Sequence, residues 1–201
     1  MSELLGRNRY VIQQKTKLIE LTNEFAIRDE EGNQIGMVRE EGQSGLKKAA
    51  RFLTSFDQFL THRYGVYDAL GQRVLEMTRP AKLVKSKVEV SDGAGQPVGR
   101  IVQQNVFGKI RFGLEDAAGQ ELGSINAENW RAWNFSIRDA AGTEVARITK
   151  TWEGLLRTAF TTADFYVLDV SAPLTGPLQL LVMASAVGVD TALKQDERGL
   201  N

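Results

Sequence analysis

The chain has 201 residues, which is enough to bury a substantial core as one domain, and its hydrophobic fraction of 42% is typical of a globular protein. Its 25 basic and 25 acidic residues balance, so composition favours neither a disordered chain nor a general nucleic-acid-binding protein. The absence of cysteine excludes a disulfide framework, a thiolate metal site and a cysteine nucleophile, and it favours a reducing compartment.

The N-terminal segment MSELLGRNRY has neither the apolar core nor the small-residue cleavage site of a secretory signal. We therefore predict a cytoplasmic protein. A first strand is predicted near residues 9–14, where RYVIQQ precedes the first turn signals of the chain.

A five-fold repeat organises the chain from residue 29 to residue 145. Each copy has an Asp, a Gly three positions later and an aliphatic residue three positions after the Gly. The Asp residues are Asp29, Asp68, Asp92, Asp116 and Asp139. Asp is favoured at the first position of a type I turn and Gly at the fourth, so each copy predicts a hairpin turn. Turn chemistry explains these Asp residues better than calcium binding, because they belong to separate hairpins.

The segments on both sides of each turn have the pattern of strands. Before the turns, apolar residues alternate with polar ones, as in Phe25 and Ile27. After the turns, two aliphatic residues are separated by three positions, as in Ile35 and Val38. This spacing predicts a β-bulge after each turn or an aliphatic residue packed beneath it. Ten such strands, with one more near 9–14 and one near 165–170, predict a closed antiparallel barrel of about twelve strands.

Basic residues are concentrated in the middle of the chain. Residues 44–111 hold 12 basic and 5 acidic side chains, whereas residues 1–43 hold 6 and 8, and residues 112–201 hold 7 and 12. This asymmetry predicts a positive surface for phosphate or anionic lipid; an ordinary solvated surface is the alternative. The predicted ligand-binding residues lie in two segments: GLKKAARFL, which we expect to form a short helix, and TRPAKLVKSK. They are Lys47, Lys48, Arg51, Arg79, Lys82, Lys85 and Lys87.

The C-terminal segment LQLLVMASAVGVDTAL, residues 178–193, is apolar or small almost all the way around a helix. Such a helix is buried, and Pro177 is well placed near its start, so we predict a central helix over about 177–193. The alternative is a transmembrane span, which needs about twenty predominantly apolar residues. This run is shorter, and Asp190 lies near its end.

Three segments, in this order along the chain, resemble phospholipid scramblases and the related LURP-one proteins. They are RYVIQQKTKLIELTNEFAIRDEEGNQIG, RPAKLVKSKVEVSDGAGQPVGRIVQQ and ITKTWEGLLRTAFTTADFYVLDV, the last followed by the apolar helix. The resemblance covers nearly the whole chain, and its specificity comes from the combination. It implies the tubby C-terminal fold, a mainly β single domain over residues 1–201 with a twelve-stranded barrel around a C-terminal helix.

The chain departs from scramblases in one functional segment. The resemblance implies an acidic calcium-binding stretch between the last strand and the helix. Here that stretch reads TTADFYVLDVSAPLTGP, which keeps Asp164 and Asp169 but has Thr161, Thr162 and Thr175 where more acidic character is expected. We therefore expect no metal site.

No catalytic constellation is recognisable in the sequence. His62 is the single histidine, and nothing in SFDQFLTHRYG resembles a nucleophile elbow or a metal pair, so we interpret it as structural. We expect no cofactor, no nucleic-acid partner and no enzymatic activity. The leading hypothesis is a barrel that binds anionic phospholipid, or another phosphate-bearing ligand, peripherally at the inner membrane face. The alternatives are lipid translocation and a soluble module that binds a protein partner.

Overall fold

The computed structural model describes residues 2–14, 24–42, 61–81, 85–105, 109–129, 133–150 and 165–198, with side chains to residue 189 in the last segment. These residues form twelve strands and one helix, preceded by a short 3-10 turn, Glu3–Gly6. The strands are β1 Arg9–Gln14, β2 Glu24–Arg28, β3 Gln34–Glu41, β4 His62–Asp68, β5 Arg73–Arg79, β6 Lys87–Asp92, β7 Pro97–Gln103, β8 Arg111–Asp116, β9 Glu121–Asn129, β10 Asn134–Asp139, β11 Glu144–Thr149 and β12 Phe165–Val170. The helix, α1, is Gly176–Arg198.

The twelve strands close into one antiparallel barrel in chain order. Each strand pairs with its neighbours in sequence, and the barrel closes because β1 pairs with both β2 and β12. This arrangement confirms the predicted twelve-stranded barrel, including the first and last strands. Closure leaves none of the twelve described strands with an unpaired edge, which removes the tendency of open sheets to pair with other chains.

The five Asp-x-x-Gly copies are the hairpin turns at one end of the barrel, which we call the turn end. In the β4–β5 hairpin, the backbone N–H of Gly71 donates to the carbonyl of Asp68 at 3.0 Å, and the Asp68 carboxylate accepts from the N–H of Gln72 at 2.9 Å. The other four copies repeat both bonds. All five glycines have φ between 76° and 87°, a left-handed conformation that residues with a Cβ adopt only with strain.

A β-bulge follows every one of these turns, as one of the two predicted options requires. Ile27 pairs with Gly36 while the adjacent Arg28 pairs with Gln34, so Ile35 is the extra residue. The register shifts in the same way in the other four hairpins, and the extra residue is always the aliphatic one. Bulges increase local twist and bend a strand, which helps the sheet close.

Helix α1 runs through the barrel. Nine consecutive positions in its middle are buried, from Leu181 to Val189, and α1 packs against β5–β8 and β12. Gly188 suits this confined space, since a Cβ there would lie 3.3 Å from Ile101 of β7. The central helix is therefore confirmed, but its predicted end near 193 was too early. It continues to Arg198, and four of the five residues in 194–198 are Lys, Gln, Glu or Arg, which favour helix.

The other end of the barrel carries the connections β1–β2, β3–β4, β5–β6, β7–β8, β9–β10 and β11–β12, and we call it the loop end. Much of these connections lies outside the described residues, including the predicted short helix in GLKKAARFL. Within the described part of the chain, no helix is long and apolar enough to cross a membrane.

Candidate anion-binding site

The predicted basic residues fall into three groups. Lys47, Lys48, Arg51 and Lys82 lie outside the described residues. Arg79 lies inside the barrel, and Lys85 and Lys87 lie at the loop end near the start of β6. The sequence therefore identified a basic region whose described members do not all share one surface.

Arg79 is a correction to the predicted surface site, because only 4% of it is exposed. Its position on β5 is two residues after the buried Met77 and four after the buried Leu75, and its backbone pairs with that of His62 on β4. Residues two apart on a strand share a face, so the buried positions 75 and 77 also assign position 79 to the interior. The alternation within RVLEMTR was the signal that could have excluded Arg79 from a surface site.

Lys85 and Lys87 remain on the outside of the barrel. The Lys85 Nζ donates to the carbonyl of Gln104, at the end of β7, at 2.7 Å. Lys87 forms an exposed ion pair with Glu89, with Nζ and Oε1 2.7 Å apart. The Lys85 contact joins the β5–β6 connection to the β7–β8 connection, although the two residues are far apart in sequence.

Two further basic residues reach the same region through the β7–β8 connection. The Asn105 side chain donates to the carbonyl of Lys109 and accepts from the N–H of Arg111 at 2.9 Å. The N–H of Gln104 donates to the carbonyl of Arg111 at 2.8 Å. Both Lys109 and Arg111 are exposed. We call Lys85, Lys87, Lys109 and Arg111 the basic rim.

Sequence reasoning did not select Lys109 or Arg111. Both belong to the basic middle region, residues 44–111, so their charge was visible in the sequence. Their proximity to Lys85 depends on the pairing of β7 with β8 and on the Asn105 hydrogen bonds, which no local pattern indicates.

A polar groove continues from the basic rim along the outside of the barrel. It has a volume of about 490 Å³ and runs across β9 from Arg111 on β8 to Arg138 on β10, with Ser124 and Asn126 between them. Arg111 pairs with Asn126 and Arg138 pairs with Ser124 in the strand register. Guanidinium, hydroxyl and amide groups are all hydrogen-bond donors to phosphate oxygens.

Acidic groups in the groove restrict where an anion could lie. Glu121 and Asp139 also line it. Asp139 is engaged by its own turn, since its carboxylate accepts from the N–H of Thr143 at 2.8 Å. Arg138 donates to the carbonyl of Gly142 at 3.2 Å, which holds its guanidinium towards the turn end. The part of the groove beside Arg111 is therefore the more favourable position for an anion.

An aromatic and cationic cluster lies farther around the loop end. Trp133, just before β10, has φ of 51° and is half-buried against Phe135 and Tyr166. The Nζ of Lys150 lies 4.9 Å from the centre of the Trp133 ring and 5.3 Å from that of Tyr166, which is cation–π geometry. Trp130 and Trp152 lie outside the described residues. Trp133 therefore packs against core residues while part of its surface stays exposed at the rim of the barrel.

The interior of the loop end contains a buried pair that sequence reasoning missed. The Nδ1 of His62 on β4 and the Oε1 of Glu40 on β3 are 2.5 Å apart, and at most 2% of either side chain is exposed. The His62 ring also stacks on that of Tyr64. The imidazole packs within the core and has little contact with solvent, which fits the structural role expected of it.

The described carboxylates do not form a metal site. Among the residues that the structure describes, no three His, Asp or Glu side chains lie close enough together to hold a metal ion. Asp169 accepts a hydrogen bond from the guanidinium of Arg9. Asp164 lies outside the described residues, so the expectation that this segment binds no calcium stays a prediction.

The fold and the comparisons identify the class of protein. The architecture is a closed twelve-stranded antiparallel barrel around a C-terminal helix. The chain matches the family model described as Scramblase over residues 2–193, and it therefore belongs to the scramblase family. This membership supports a lipid-related, non-enzymatic role.

Two further comparisons complete this assignment. No curated protein matches the chain. A crystal structure of a protein from Arabidopsis thaliana is similar, with a TM-score of 0.55 and 12% identity over 94% of this chain and 93% of the other. At that identity the similarity concerns the fold, and it agrees with the barrel expected from the scramblase and LURP-one resemblance.

Proposed function

We propose that the protein is a non-enzymatic peripheral binder of anionic phospholipid, which it contacts with the basic rim at the loop end of the barrel. The observation that carries this proposal is the hydrogen bond from Lys85 to the carbonyl of Gln104, because it joins two connections that both carry exposed cations. Membership of the scramblase family supports lipid as the ligand class. The inner face of the cytoplasmic membrane, which carries anionic lipid, is the proposed location.

The expected binding energy follows from the number of cations. A Lys or Arg near an anionic membrane contributes about 1 kcal/mol. The basic rim has four cations, and Glu89 neutralises part of the charge of Lys87. We therefore expect the rim to contribute roughly 3 kcal/mol at low salt. Salt should weaken the binding because it shortens the Debye length.

The groove beside Arg111 is proposed to hold the phosphate of one headgroup. Arg111 would supply the charge, and Asn126, opposite it in the register, would supply an additional donor. The Asn126 amide donates to the Ser124 hydroxyl at 3.0 Å, so the polar atoms of the groove are oriented before a ligand arrives. A phosphate held by a guanidinium and an amide forms charge-assisted hydrogen bonds, which are stronger than neutral ones.

Sedimentation with liposomes tests this proposal. The wild-type protein should sediment with phosphatidylserine-containing liposomes and not with phosphatidylcholine liposomes. Replacing Lys85 and Lys109 together by Gln should weaken binding by about thirty-fold, which corresponds to roughly 2 kcal/mol.

The matched control replaces Arg73 and Arg100 together by Gln, which removes the same charge at the turn end. It should leave most of the binding in place. Equal weakening by the two double variants would contradict a localised site. If the wild-type protein ignores anionic liposomes even at low salt, the proposal fails and a module that binds a protein partner becomes the better account.

Liposome sedimentation also tests the basic residues that lie outside the described part of the chain. Lys82, Lys47, Lys48 and Arg51 belong to the same basic region of the sequence. Reversing the charge of Lys82, Lys85 and Lys87 together should remove most of the binding. The fold should remain intact, because substitutions on the outside of the barrel, where Lys85 and Lys87 lie, usually change stability by only about 0.5 kcal/mol. Arg79 is not part of the proposed surface.

Lipid translocation is the second candidate function, and the family match is the observation that favours it. It can be separated from binding by reconstituting the protein in liposomes with a fluorescent lipid and adding a quencher that does not cross the membrane. A translocator exposes the inner-leaflet fluorophore to the quencher, whereas a peripheral binder leaves about half of the fluorescence protected. A peripheral protein should also leave native membranes in high salt, whereas an integral one should need detergent.

A further inference from the structure

A second concave site lies at the turn end, across the barrel from the basic rim. It has a volume of about 210 Å³ and lies between the 3-10 turn, β1, β12 and the start of α1. Its deep wall is formed by buried core residues, among them Leu168, Val182 and Met183. Leu174, in the connection between β12 and α1, forms part of its outer wall. The pocket therefore leads from the surface to the apolar interior.

Two of the polar side chains that line the pocket, those of Tyr10 and Gln179, already form hydrogen bonds. The Tyr10 hydroxyl donates to the carbonyl of Leu4 at 2.8 Å, and the Gln179 amide donates to the carbonyl of Leu5 at 2.6 Å. These bonds join the 3-10 turn to β1 and α1, so the pocket is formed before a ligand arrives. A preformed apolar pocket with few polar groups is the usual form of a small-molecule site.

Arg7 gives the pocket its charge. Among the described residues that line it, Arg7 alone is charged, and its side chain is 39% exposed. Its Nη1 lies 3.7 Å from the Asp29 carboxylate, which is a long, partly exposed ion pair and therefore a weak one. Burial raises the pKa of Tyr10, and the nearby positive charge of Arg7 opposes that rise, so the guanidinium acts on the wall of the pocket.

We propose that this pocket binds the alkyl chain of a single-chain anionic amphiphile, with the chain against Leu168, Val182 and Met183 and the head at Arg7. An apolar cavity of about 150 Å³ holds one benzene molecule. By the same ratio, 210 Å³ holds about eight carbons. The site goes beyond the proposed lipid surface, because it lies at the opposite end of the barrel and takes one chain rather than a bilayer headgroup array.

The proposed ligand class predicts how binding affinity depends on the length of the alkyl chain. Each methylene that enters an apolar pocket should tighten binding about fourfold, which corresponds to ~0.8 kcal/mol. The increase should stop near eight or nine carbons, where the pocket is full. An amphiphile that only adsorbs to the surface, or that forms micelles, would show no such plateau.

The experiment titrates the intact protein with alkyl carboxylates from hexanoate to dodecanoate, each below its micelle concentration, and follows the Met183 methyl resonance. We expect saturable shifts, a fourfold gain for each methylene and a plateau near eight or nine carbons. Octanol, which lacks the charge, should bind about fivefold more weakly than octanoate. Absence of a Met183 shift, or affinity that rises without a plateau, would overturn the proposal.

Two variants separate the head from the chain. Arg7→Gln should weaken octanoate about fivefold and leave octanol unchanged, while the control Arg28→Gln, outside the pocket, should change neither. Equal affinities of wild type and Arg7→Gln for octanoate would overturn the assignment of the head. Ala172→Trp should fill the pocket and remove binding of both ligands. Its melting transition is measured alongside, and the Arg7→Gln result decides the proposal if Ala172→Trp does not fold.

A third arm distinguishes the two natural sources of such a chain. An anionic lysophospholipid and a free fatty acid share the chemistry of one alkyl chain with one anionic head. Tighter binding of the free carboxylate supports a fatty-acid ligand, and tighter binding of the eight-carbon lysophospholipid supports a lipid-derived one. If neither decanoate nor the eight-carbon lysophospholipid displaces octanoate at the Met183 resonance, the proposal is overturned, whatever the liposome assay of the basic rim shows.

Discussion

The two ends of the barrel are built on different principles. At the turn end, one local motif recurs five times, each with an Asp carboxylate on a backbone N–H and a Gly at positive φ. At the loop end, the connections differ in length, and the interior carries the buried polar residues Glu40, His62 and Arg79. One end depends on backbone conformation and the other on contacts between side chains from different strands.

This difference separates the part of the barrel that local sequence specifies from the part that strand pairing assembles. Turns encoded within four or five residues close the hairpins whatever surrounds them, and they leave little freedom for variation. The loop end is free of that constraint, and there the basic rim forms from residues of different connections, including Lys85 and Lys109. Binding residues are commonly found on loops that a rigid scaffold positions.

The largest loss of stability should come from changes in α1, the helix that runs through the barrel. Val187→Asp would bury an unpaired carboxylate at a position that is 3% exposed, and we expect it to lower the free energy of unfolding by more than about 4 kcal/mol. Chemical denaturation measures this loss. Deleting residues 178–201 should remove the cooperative transition altogether.

The control for this change is Thr175→Asp, just ahead of α1 on the exposed connection. It introduces the same charge and should change stability by no more than about 0.5 kcal/mol. A truncated chain that still melts cooperatively would show that the barrel does not need its central helix.

A smaller effect is expected from the interior of the loop end. Glu40→Leu removes the partner that lies 2.5 Å from His62 and leaves the buried imidazole without that bond. We expect a loss of about 3 kcal/mol. The double variant Glu40→Leu with His62→Phe should recover part of this loss, because replacing both partners by apolar groups leaves neither unsatisfied.

Urea unfolding of the four members of this cycle gives the coupling energy. Glu89→Gln, on the exposed surface of β6, serves as the control and should cost less than about 1 kcal/mol. Strictly additive losses for Glu40→Leu and His62→Phe would mean that the two side chains do not stabilise each other.

At the turn end, replacing a turn glycine should lower stability through backbone strain alone. Gly95 has φ of 84°, and a Cβ there would meet nothing within 4 Å. Gly95→Ala should therefore cost about 1–2 kcal/mol through conformation and not through a clash. Gly6→Ala is the matched control, since its Cβ is equally unobstructed and its φ is not in the left-handed region. If both changes shift the thermal midpoint equally, the turn geometry is not what stabilises this end.

The smallest effect concerns acid. Hydrogen bonds from the N–H of Gln72, the Ser2 hydroxyl and the N–H of Leu70 outweigh desolvation and hold the pKa of Asp68 below its usual 3.8. A lowered pKa in the folded state means stability that is present above pH 3.8 and is lost as the pH falls through the folded-state value. Asp68→Asn should therefore make the loss of stability below that pH shallower. Identical acid slopes for the wild-type protein and Asp68→Asn would remove Asp68 from this account.

The sequence alone determined the local features of this protein. Asp and Gly at fixed spacing specify the turns because the carboxylate and the positive φ act within five residues. Alternation around Phe25 and Ile27 identifies a strand, and apolar residues on every side of 178–193 identify a buried helix. Together these features predicted the barrel, its strand number and its central helix.

Only the tertiary structure decided which distant residues meet. The strand register brought Glu40 to His62, turned Arg79 inwards and set Arg111 beside Asn126. The pocket at the turn end likewise combines residues near both ends of the chain, such as Arg7 and Met183. A pairing register depends on closure of the whole barrel, and a shift of one residue would move every side chain to the other face. For that reason charge and spacing indicated a basic region, while the fold decided which of its described residues share the surface that we propose binds lipid.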